Sequence, residues 1–528
     1  MKKIKYTFLA SALVAFSLAG CNDLDTEPLG STITTDQKEE AVAANPDRVE
    51  ASVTAISSMF SQYGNILGEN QHNDFGYPTI MLWTDTRGMD LVSEVTGYNW
   101  FSSAVDYADI QHTSAGPRLI WGTLYKQINS TNAVTAVIDP ETDDETLLFY
   151  LANAYAVRAF DYFTLAQLFQ KTYVGNEDKP CVPLITEENM DAVAANGCKR
   201  ATVKDVYAQI MSDLDNAIDM LSRTSVTRAD KRYVSLEVAY GLRARVNLVM
   251  NNWVEAANDA QMAMQGDAVP YSMEDVDHPG FSDIEDAAWM WGILVSETDR
   301  VVTTGICNFP SHMGSLNYGY ASVGAWRCVN QLLFDAIPST DVRKGWWLDA
   351  DGYSPNLTQA QQKYAYDKGC YPYTQMKFGC YQDVLGQSTN CNDIPLMRIE
   401  EMYLILAEAQ VMAGDVTAAA NTLQDFVRTY RDPQYTCNSA EAEEVRNAVW
   451  QQRRIELWGE GFSYFDILRM NKNVDRRGAG FAPEVTFNIP AGDDALIFCL
   501  PEKEIQSNPA LTDTDNNPTP TRPQPVAE

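Results

Sequence analysis

The sequence predicts a mostly α-helical protein, built of helix hairpins that carry long loop-rich insertions. Three observations predict it. Apolar residues recur at helical spacing, as with Leu148, Leu151, Tyr155, Tyr162, Leu165 and Phe169, which fall three, four or seven residues apart on one helix face. Helical stretches come in pairs joined by turn residues. Two stretches, 63–118 and 270–395, break the pattern with Gly, Asn, Asp and aromatic residues, and long irregular segments inside a compact protein are usually functional. At 528 residues the chain can bury a large core. Length alone suggests roughly two to four domains.

The N-terminus reads as a lipoprotein signal over 1–20. Lys2, Lys3 and Lys5 form a basic start, Tyr6 to Ala19 is mostly apolar, and Leu18-Ala19-Gly20-Cys21 has the form of a lipobox. An apolar helix of this length reaches roughly 21 Å, short of the ~30 Å bilayer core, so it reads as a cleaved signal and not as a span. Cleavage before Cys21 leaves a thiol for a diacylglyceryl group. Acyl chains such as palmitate contribute about 0.8 kcal/mol per buried CH₂, so two or three anchor firmly. The alternative is a plain secretory signal with Cys21 incidental. Residues 21–45 are polar and acidic and read as a lipidated tether. No other run of apolar residues is long enough to span a membrane.

The binding body is expected over 46–515. Its helix pairs are 145–169 with 203–221, a hairpin at 235–266, another at 398–430, and 441–458 with 460–470. Arg158 falls on the apolar stripe of the first pair. A buried Arg is costly unless paired, which predicts a carboxylate partner. In the 235–266 hairpin Ser235 can cap the first helix and Asn251-Asn252 form the turn; in 398–430 the turn is Gly414-Asp415. Each pair resembles a tetratricopeptide hairpin in its Ala and aromatic placement, but the spacing is irregular where a true repeat keeps a period of about 34 residues. Such hairpins stack into a scaffold with a broad face for a partner. The tail at 516–528 carries Pro518, Pro520, Pro523 and Pro525 and reads as extended or disordered.

Charge excludes one class of partner. With 39 basic and 71 acidic side chains the formal charge is −32. Nucleic-acid binding needs Lys/Arg clusters, and Arg453-Arg454 and Arg476-Arg477 are only isolated pairs. Of the ten Cys, nine lie beyond Cys21 and cannot all pair. Cys370 and Cys380 sit in matching Gly-Cys-Tyr triplets with Cys391 nearby. A loop disulfide and a set of small buried residues both remain open.

Catalytic patterns are missing. The four His are widely spaced, without metal-ligand pattern, and there is no H-E-x-x-H, G-x-S-x-G or P-loop. No cofactor or metal is expected; polar loops can hold Ca²⁺, but no loop signature supports it. Glu456 and Glu460 stand i, i+4 on one helix and mimic an acid pair. Arg453 and Arg454, one turn away, are expected to compensate them.

Binding chemistry is present. Sugars offer aliphatic faces ringed by hydroxyls, so a site needs flat aromatic platforms with Asp, Asn, Gln and Arg around them. The stretch with Trp83, Asp85, Arg87, Asp90, Tyr98, Asn99 and Trp100 has that composition, as does the later one with Asn317, Tyr318, Tyr320, Trp326 and Arg327. Trp100 and Trp83 are the leading candidates. Trp121, Trp253, Trp450 and Trp458 sit in helical patterns and read as core.

One stretch carries a family resemblance. Residues 451–469, with Arg453-Arg454, Glu456-Leu457, Gly459-Glu460-Gly461, Phe465-Asp466 and Arg469, resemble the "RR-x-EL-x-GEG-x-x-x-FD-x-xR" helix of the SusD/RagB family, outer-membrane nutrient-binding lipoproteins of Bacteroidetes-type bacteria. Arg398 with Glu401, Tyr403-Leu404 and Ala407-Glu408-Ala409 matches a second family helix. Arg158-Ala159-Phe160-Asp161-Tyr162-Phe163 is similar to its first tetratricopeptide-like helix, and Leu500-Pro501, Glu504 and Asn508-Pro509 to its C-terminal signature. Ser463-Tyr464 depart from the family's frequent Arg-Trp. Asn22-Asp23-Leu24-Asp25 and Glu27-Pro28 resemble the acidic export tag of surface-exposed lipoproteins in these bacteria.

The resemblance implies one helical body with insertions, and ligand aromatics drawn from an early loop and a mid-chain insertion. It also implies that the protein binds an oligosaccharide and closes over a SusC-type TonB-dependent transporter, with its helical face against the barrel. The location implied is the outer membrane, lipid-anchored and facing outward. Capture of oligopeptides, a mainly structural role at the transporter, and a lipid-anchored glycosidase are the alternatives.

Overall fold

The computed structural model describes residues 47–527; the signal, Cys21 and the tether lie outside the described residues. The scaffold runs α1 (Asp47–Ser58), α2 (Tyr77–Arg87), β1 (Leu91–Val92), α3 (Ala115–Thr135), α4 (Glu145–Phe169), β2 (Pro180–Pro183), β3 (Arg200–Thr202), α5 (Val203–Arg223), α6 (Leu236–Val249), α7 (Trp253–Ala263), β4 (Trp289–Ile293), β5 (Cys328–Val329), β6 (Ile394–Arg398), α8 (Ile399–Met412), α9 (Val416–Tyr430), α10 (Ala442–Glu456), α11 (Ser463–Arg469), β7 (Val474–Asp475) and β8 (Asn488–Ile489), with shorter helices, among them Met190–Asn196, Gln359–Lys368 and Glu502–Ser507, in and after the connections. The protein is mostly α. Its strands form antiparallel pairs, β1 with β5, β2 with β3, β4 with β6 and β7 with β8. No described helix is long and apolar enough to cross a membrane.

Helix α4 is the axis. Asp144 caps it, its carboxylate accepting from Thr146 N (2.9 Å) and Leu147 N (3.1 Å). Every residue from Leu147 to Phe169 is buried, more than a one-face stripe predicts. The reason is that α1, α3 and α5 pack around it and Phe498 closes its end, donating from N to Leu168 O at 2.8 Å. Arg158 finds its carboxylate: Asp213 accepts at 2.8 and 2.7 Å, and Glu187 joins. In the later hairpins, Ser235 accepts from Val238 N at 3.4 Å, Asn251 takes φ 62° in the α6–α7 turn, and Asp415 accepts from Ala418 N at 3.0 Å after Gly414.

A buried ion network joins these helices at their centre. The Glu456 carboxylate receives Arg431 through two bonds of 2.8 Å, Arg343 at 3.1 Å and Arg398 at 3.2 Å. Glu460 receives Lys377 at 2.5 Å and Arg398 at 2.9 Å, and Glu400 receives Arg398 at 2.8 Å and Arg431 at 3.0 Å. Burial alone would raise the Glu456 carboxyl, but Arg431, Arg398 and Arg343 outweigh it and hold it well below the usual carboxylate range. The expected compensation by Arg453 and Arg454 is thus incorrect. Arg453 bonds Asp466 at 2.8 Å and Arg454 reaches Asp90 at 3.0 Å, because the carboxylates of Glu456 and Glu460 turn toward 343–431 instead. Ser463 also binds Asp90, and the Tyr464 hydroxyl donates to Leu496 O at 2.6 Å. Gly459 and Gly461 take φ 77° and 82°, and a Cβ on Gly461 would lie 2.9 Å from the Met81 side chain.

The C-terminal signature is a clasp. Glu504 accepts from the Trp121 indole at 3.3 Å and from Asn508 at 2.8 Å, while Asn508 also donates to Cys198 O at 2.8 Å. The tail beyond Asn516 is extended and docked: Asn517 donates to Phe169 O (2.7 Å), Arg522 pairs with Asp106 (2.7 Å) and Val526 N donates to Thr486 O (2.9 Å). None of the nine described Cys forms a disulfide; Cys370 and Cys380 share one small apolar cluster. Trp121 and Trp458 are buried, whereas Trp253 and Trp450 are half-buried against the core.

Candidate functional site

Two loops far apart in sequence meet through a short strand pairing. β1 and β5 align Leu91 with Val329 and Val92 with Cys328, so residues 93–101 lie beside the segment that leads into β5. The aromatic side chains of the two segments then converge. The Trp100 ring stacks on His72 at 4.7 Å and 17°. Tyr320 stands across Trp100 at 6.4 Å and 70°, and its hydroxyl meets His72 Nδ1. Beneath Tyr320, His312 stacks at 4.6 Å and 21°, and Phe75 stacks on His312 at 5.4 Å and 21°. Trp100, Tyr320 and His72 are half-buried; Tyr98 is 56% exposed and Tyr318 is 48% exposed.

Polar side chains fix this surface from below. Arg327 Nε donates to His312 O (2.9 Å) and Nη2 to Asn99 Oδ1 (3.1 Å), bridging the two segments. Asn99 donates to Glu94 O (2.8 Å) and Ser93 Oγ (3.2 Å), and Asn73 donates to Trp100 O (3.0 Å). His312 Nε2–H donates to His72 O at 2.9 Å. Burial, with the Arg327 charge beside it, lowers His312 to about 3, so its ring is neutral. Burial also lowers Arg327, to about 10, as no carboxylate offsets its desolvation. Buried Nη1 of Arg327, Nδ1 of His312 and Oδ1 of Asn73 have no protein hydrogen-bond partner.

Four of the expected ligand residues lie elsewhere. Trp83 is 1% exposed; its indole donates to Asp109 at 2.5 Å and its ring meets Phe101 edge-on at 5.6 Å. Asp85 is buried and accepts from Gly461 N at 2.9 Å, and burial raises its carboxyl to about 8. Arg87 is 0% exposed, paired with Asp109 and lying over the Tyr107 ring at 4.3 Å. These three belong to α2, which is buried on every side, where the sequence reading expected a loop. Pro78 in the first turn after Gly76 was the available helix signal. Trp326 is buried against Tyr371 at 5.8 Å. Conversely, His72, Asn73 and His312 are site residues that the sequence does not single out. The two histidines lack metal-ligand spacing, and nothing in the sequence around them or Asn73 marks a stack.

The arrangement offers flat aromatic faces, hydroxyl and amide groups. Among the described residues no cluster of His, Cys, Asp or Glu has a metal-holding arrangement. Fold and surface together define a helical-scaffold protein that displays aromatic side chains on inserted loops. The chain belongs to the SusD/RagB family. Residues 44–248 match the SusD-like family described as starch-binding and associating with the outer membrane, and residues 346–518 match the SusD family. It is 24% identical to SusD-like protein P2 of Formosa agariphila, over 98% of this chain and 100% of that protein. A SusD-like carbohydrate binding protein from Bacteroides vulgatus has a similar fold (TM-score 0.73, 22% identity, 89% of this chain and 97% of that one). So does a laminarin-binding SusD-like protein (TM-score 0.62, 19% identity, 89% and 99%).

Proposed function

We propose that this protein captures an oligosaccharide at the cell surface and delivers it to a SusC-type TonB-dependent transporter. The observation that carries the reading is the convergence of Trp100, His72 and Tyr320 on one accessible surface, with Tyr98 and Tyr318 exposed on the same two loops. Sugar C–H faces stack on such rings and their hydroxyls bond the tyrosine and amide groups around them. The carbohydrate-binding and laminarin-binding SusD-like proteins of similar fold support the same ligand class. Lipidation at Cys21 would hold the chain on the outer membrane with this surface outward and the helical face toward the barrel. Capture is noncovalent and the protein acts as a binding component, not as an enzyme.

The test is calorimetry of the purified protein against a panel of polysaccharides and oligopeptides, alongside Trp100→Ala/Tyr320→Ala. Glycan binding that disappears in the double variant is the expected result. Heat with oligopeptides alone would replace the reading with peptide capture. Silence with both, combined with lost uptake on deletion, would leave a structural role at the transporter. Release of reducing ends would make it a glycosidase.

A further inference from the structure

Beyond the C-terminal end of α4 the surface opens into two adjoining grooves of about 610 Å³ and about 340 Å³ that share Lys171, Asn176 and Ile497. Their charge runs against the rest of the chain. The formal charge is −32, yet the larger groove is lined by Lys171, Lys179, Lys199 and Arg200 against only Asp494 and Asp515. Both acids are engaged: Asp494 pairs with Lys171 at 2.7 Å, and the Asp515 carboxylate accepts from Thr512 N (2.8 Å) and Thr512 Oγ1 (2.7 Å). Among the described residues no carboxylate forms an ion pair with Lys179, Lys199 or Arg200.

Arg200 makes the groove more than a scatter of surface lysines. It sits in β3 opposite Pro183, and neutral oxygens lock its guanidinium: Nε donates to Cys181 O (2.7 Å), Nη2 to Pro180 O (2.7 Å) and Asn517 Oδ1 (2.8 Å), and Nη1 to Asp515 O (2.7 Å). A guanidinium has five N–H donors, so one on Nη1 is left over in a rigid fork that lines the groove. Desolvation lowers this guanidinium and the nearby Asp515 carboxylate offsets only part of that cost, so an anion seated beside it would recover further electrostatic energy.

We propose that this groove binds an oxyanion group, phosphoryl or sulfuryl, held by the leftover Arg200 N–H and the ammonium groups of Lys179 and Lys199. The fixed fork supplies geometry and the two lysines supply charge. The site is separate from the aromatic surface and does not depend on what that surface binds.

The purified protein is titrated with inorganic phosphate and inorganic sulfate at low ionic strength, followed by calorimetry and by ³¹P line broadening. Lys179→Ala/Lys199→Ala, at two exposed positions, should weaken binding by roughly tenfold or more and leave thermal stability unchanged. Added salt should weaken the wild type likewise. Co-sedimentation of unlipidated protein (Cys21→Ala) with phosphatidylcholine vesicles, with and without phosphatidylglycerol, identifies the source without a contribution from the anchor. Retention that needs both phosphatidylglycerol and the two lysines assigns a lipid headgroup; binding of the free ions alone assigns a small ligand. No binding of phosphate or sulfate by the wild type, or equal binding by the double variant, overturns the proposal. Vesicle retention that survives the double variant excludes a lipid headgroup as the occupant of this groove.

Discussion

The ion network around Glu456 and the aromatic surface around Trp100 are held in contrasting ways. In the first, Glu456 alone engages three guanidinium groups, all fully buried. Each charge is tolerable in the core only because its partners are present. In the second, rings meet edge and face at 4.7–6.4 Å, half in water, and the buried cation beneath them, Arg327, is held by neutral oxygens. The network therefore fixes residue type at each position. The surface fixes only flatness and placement, which many aromatic side chains provide. The family fingerprint at 451–469 consequently marks the scaffold and says little about what is bound.

The contrast can be broken most forcefully at Glu456. Glu456→Ala strips Arg343, Arg398 and Arg431 of a shared partner and should cost about 3–5 kcal/mol, read as a large fall in the denaturant midpoint. A variant as stable as the wild type would show that the network contributes nothing. Asp85 gives the next effect through pH. Its folded carboxyl stands at about 8, above the ordinary value of 3.8, chiefly through burial. The folded state therefore binds more protons between those values, and stability falls as pH rises from about 4 to about 8. Asp85→Asn can still accept from Gly461 N, so it should remove that slope, on the order of a few kcal/mol. Parallel stability–pH curves for the two proteins would refute this.

Two tryptophans sharpen the comparison. Trp83→Ala empties a core position and should cost about 3–5 kcal/mol, while the folded fraction keeps its glycan affinity. Trp100→Ala should do the reverse, weakening affinity roughly tenfold through lost stacking with little change in melting temperature. Calorimetry beside thermal melts separates them, and an affinity loss in Trp83→Ala as large as that in Trp100→Ala would erase the distinction.

This pair also shows where sequence reasoning stopped. Helix periodicity predicts α4, and Arg158 on its apolar stripe predicts a carboxylate partner, though only the structure identifies it as Asp213 with Glu187. The two irregular stretches were located by composition, and the structure does bring Trp100 and Tyr320 together from them. Which aromatic faces water is not legible in the sequence, because Trp83 and Trp100 have the same local chemistry and differ only in tertiary surroundings: Gly116 of α3, Phe101 and Asp109 enclose Trp83. The acid partners were equally hidden. Arg453 and Arg454 are near Glu456 in sequence, but Arg343, Arg398 and Arg431 reach it through tertiary packing, and a single sequence carries no mark of that.

The smallest expected effect lies where the two regimes touch. Arg327 is buried like the network arginines, yet its work is to tie the Trp100 loop to the His312–Tyr320 segment through Asn99 Oδ1 and His312 O. Lysine keeps the charge but cannot span both acceptors with one planar fork. Arg327→Lys should therefore lower glycan affinity only a few-fold, about 1 kcal/mol, because the rings remain and only their mutual placement loosens. Loosening should also red-shift tryptophan emission as Trp100 gains water, a change absent in a Trp100→Phe background. An unchanged spectrum with unchanged affinity would mean that the stack of His72, His312 and Phe75 orients the surface by itself, and that Arg327 belongs with the scaffold after all.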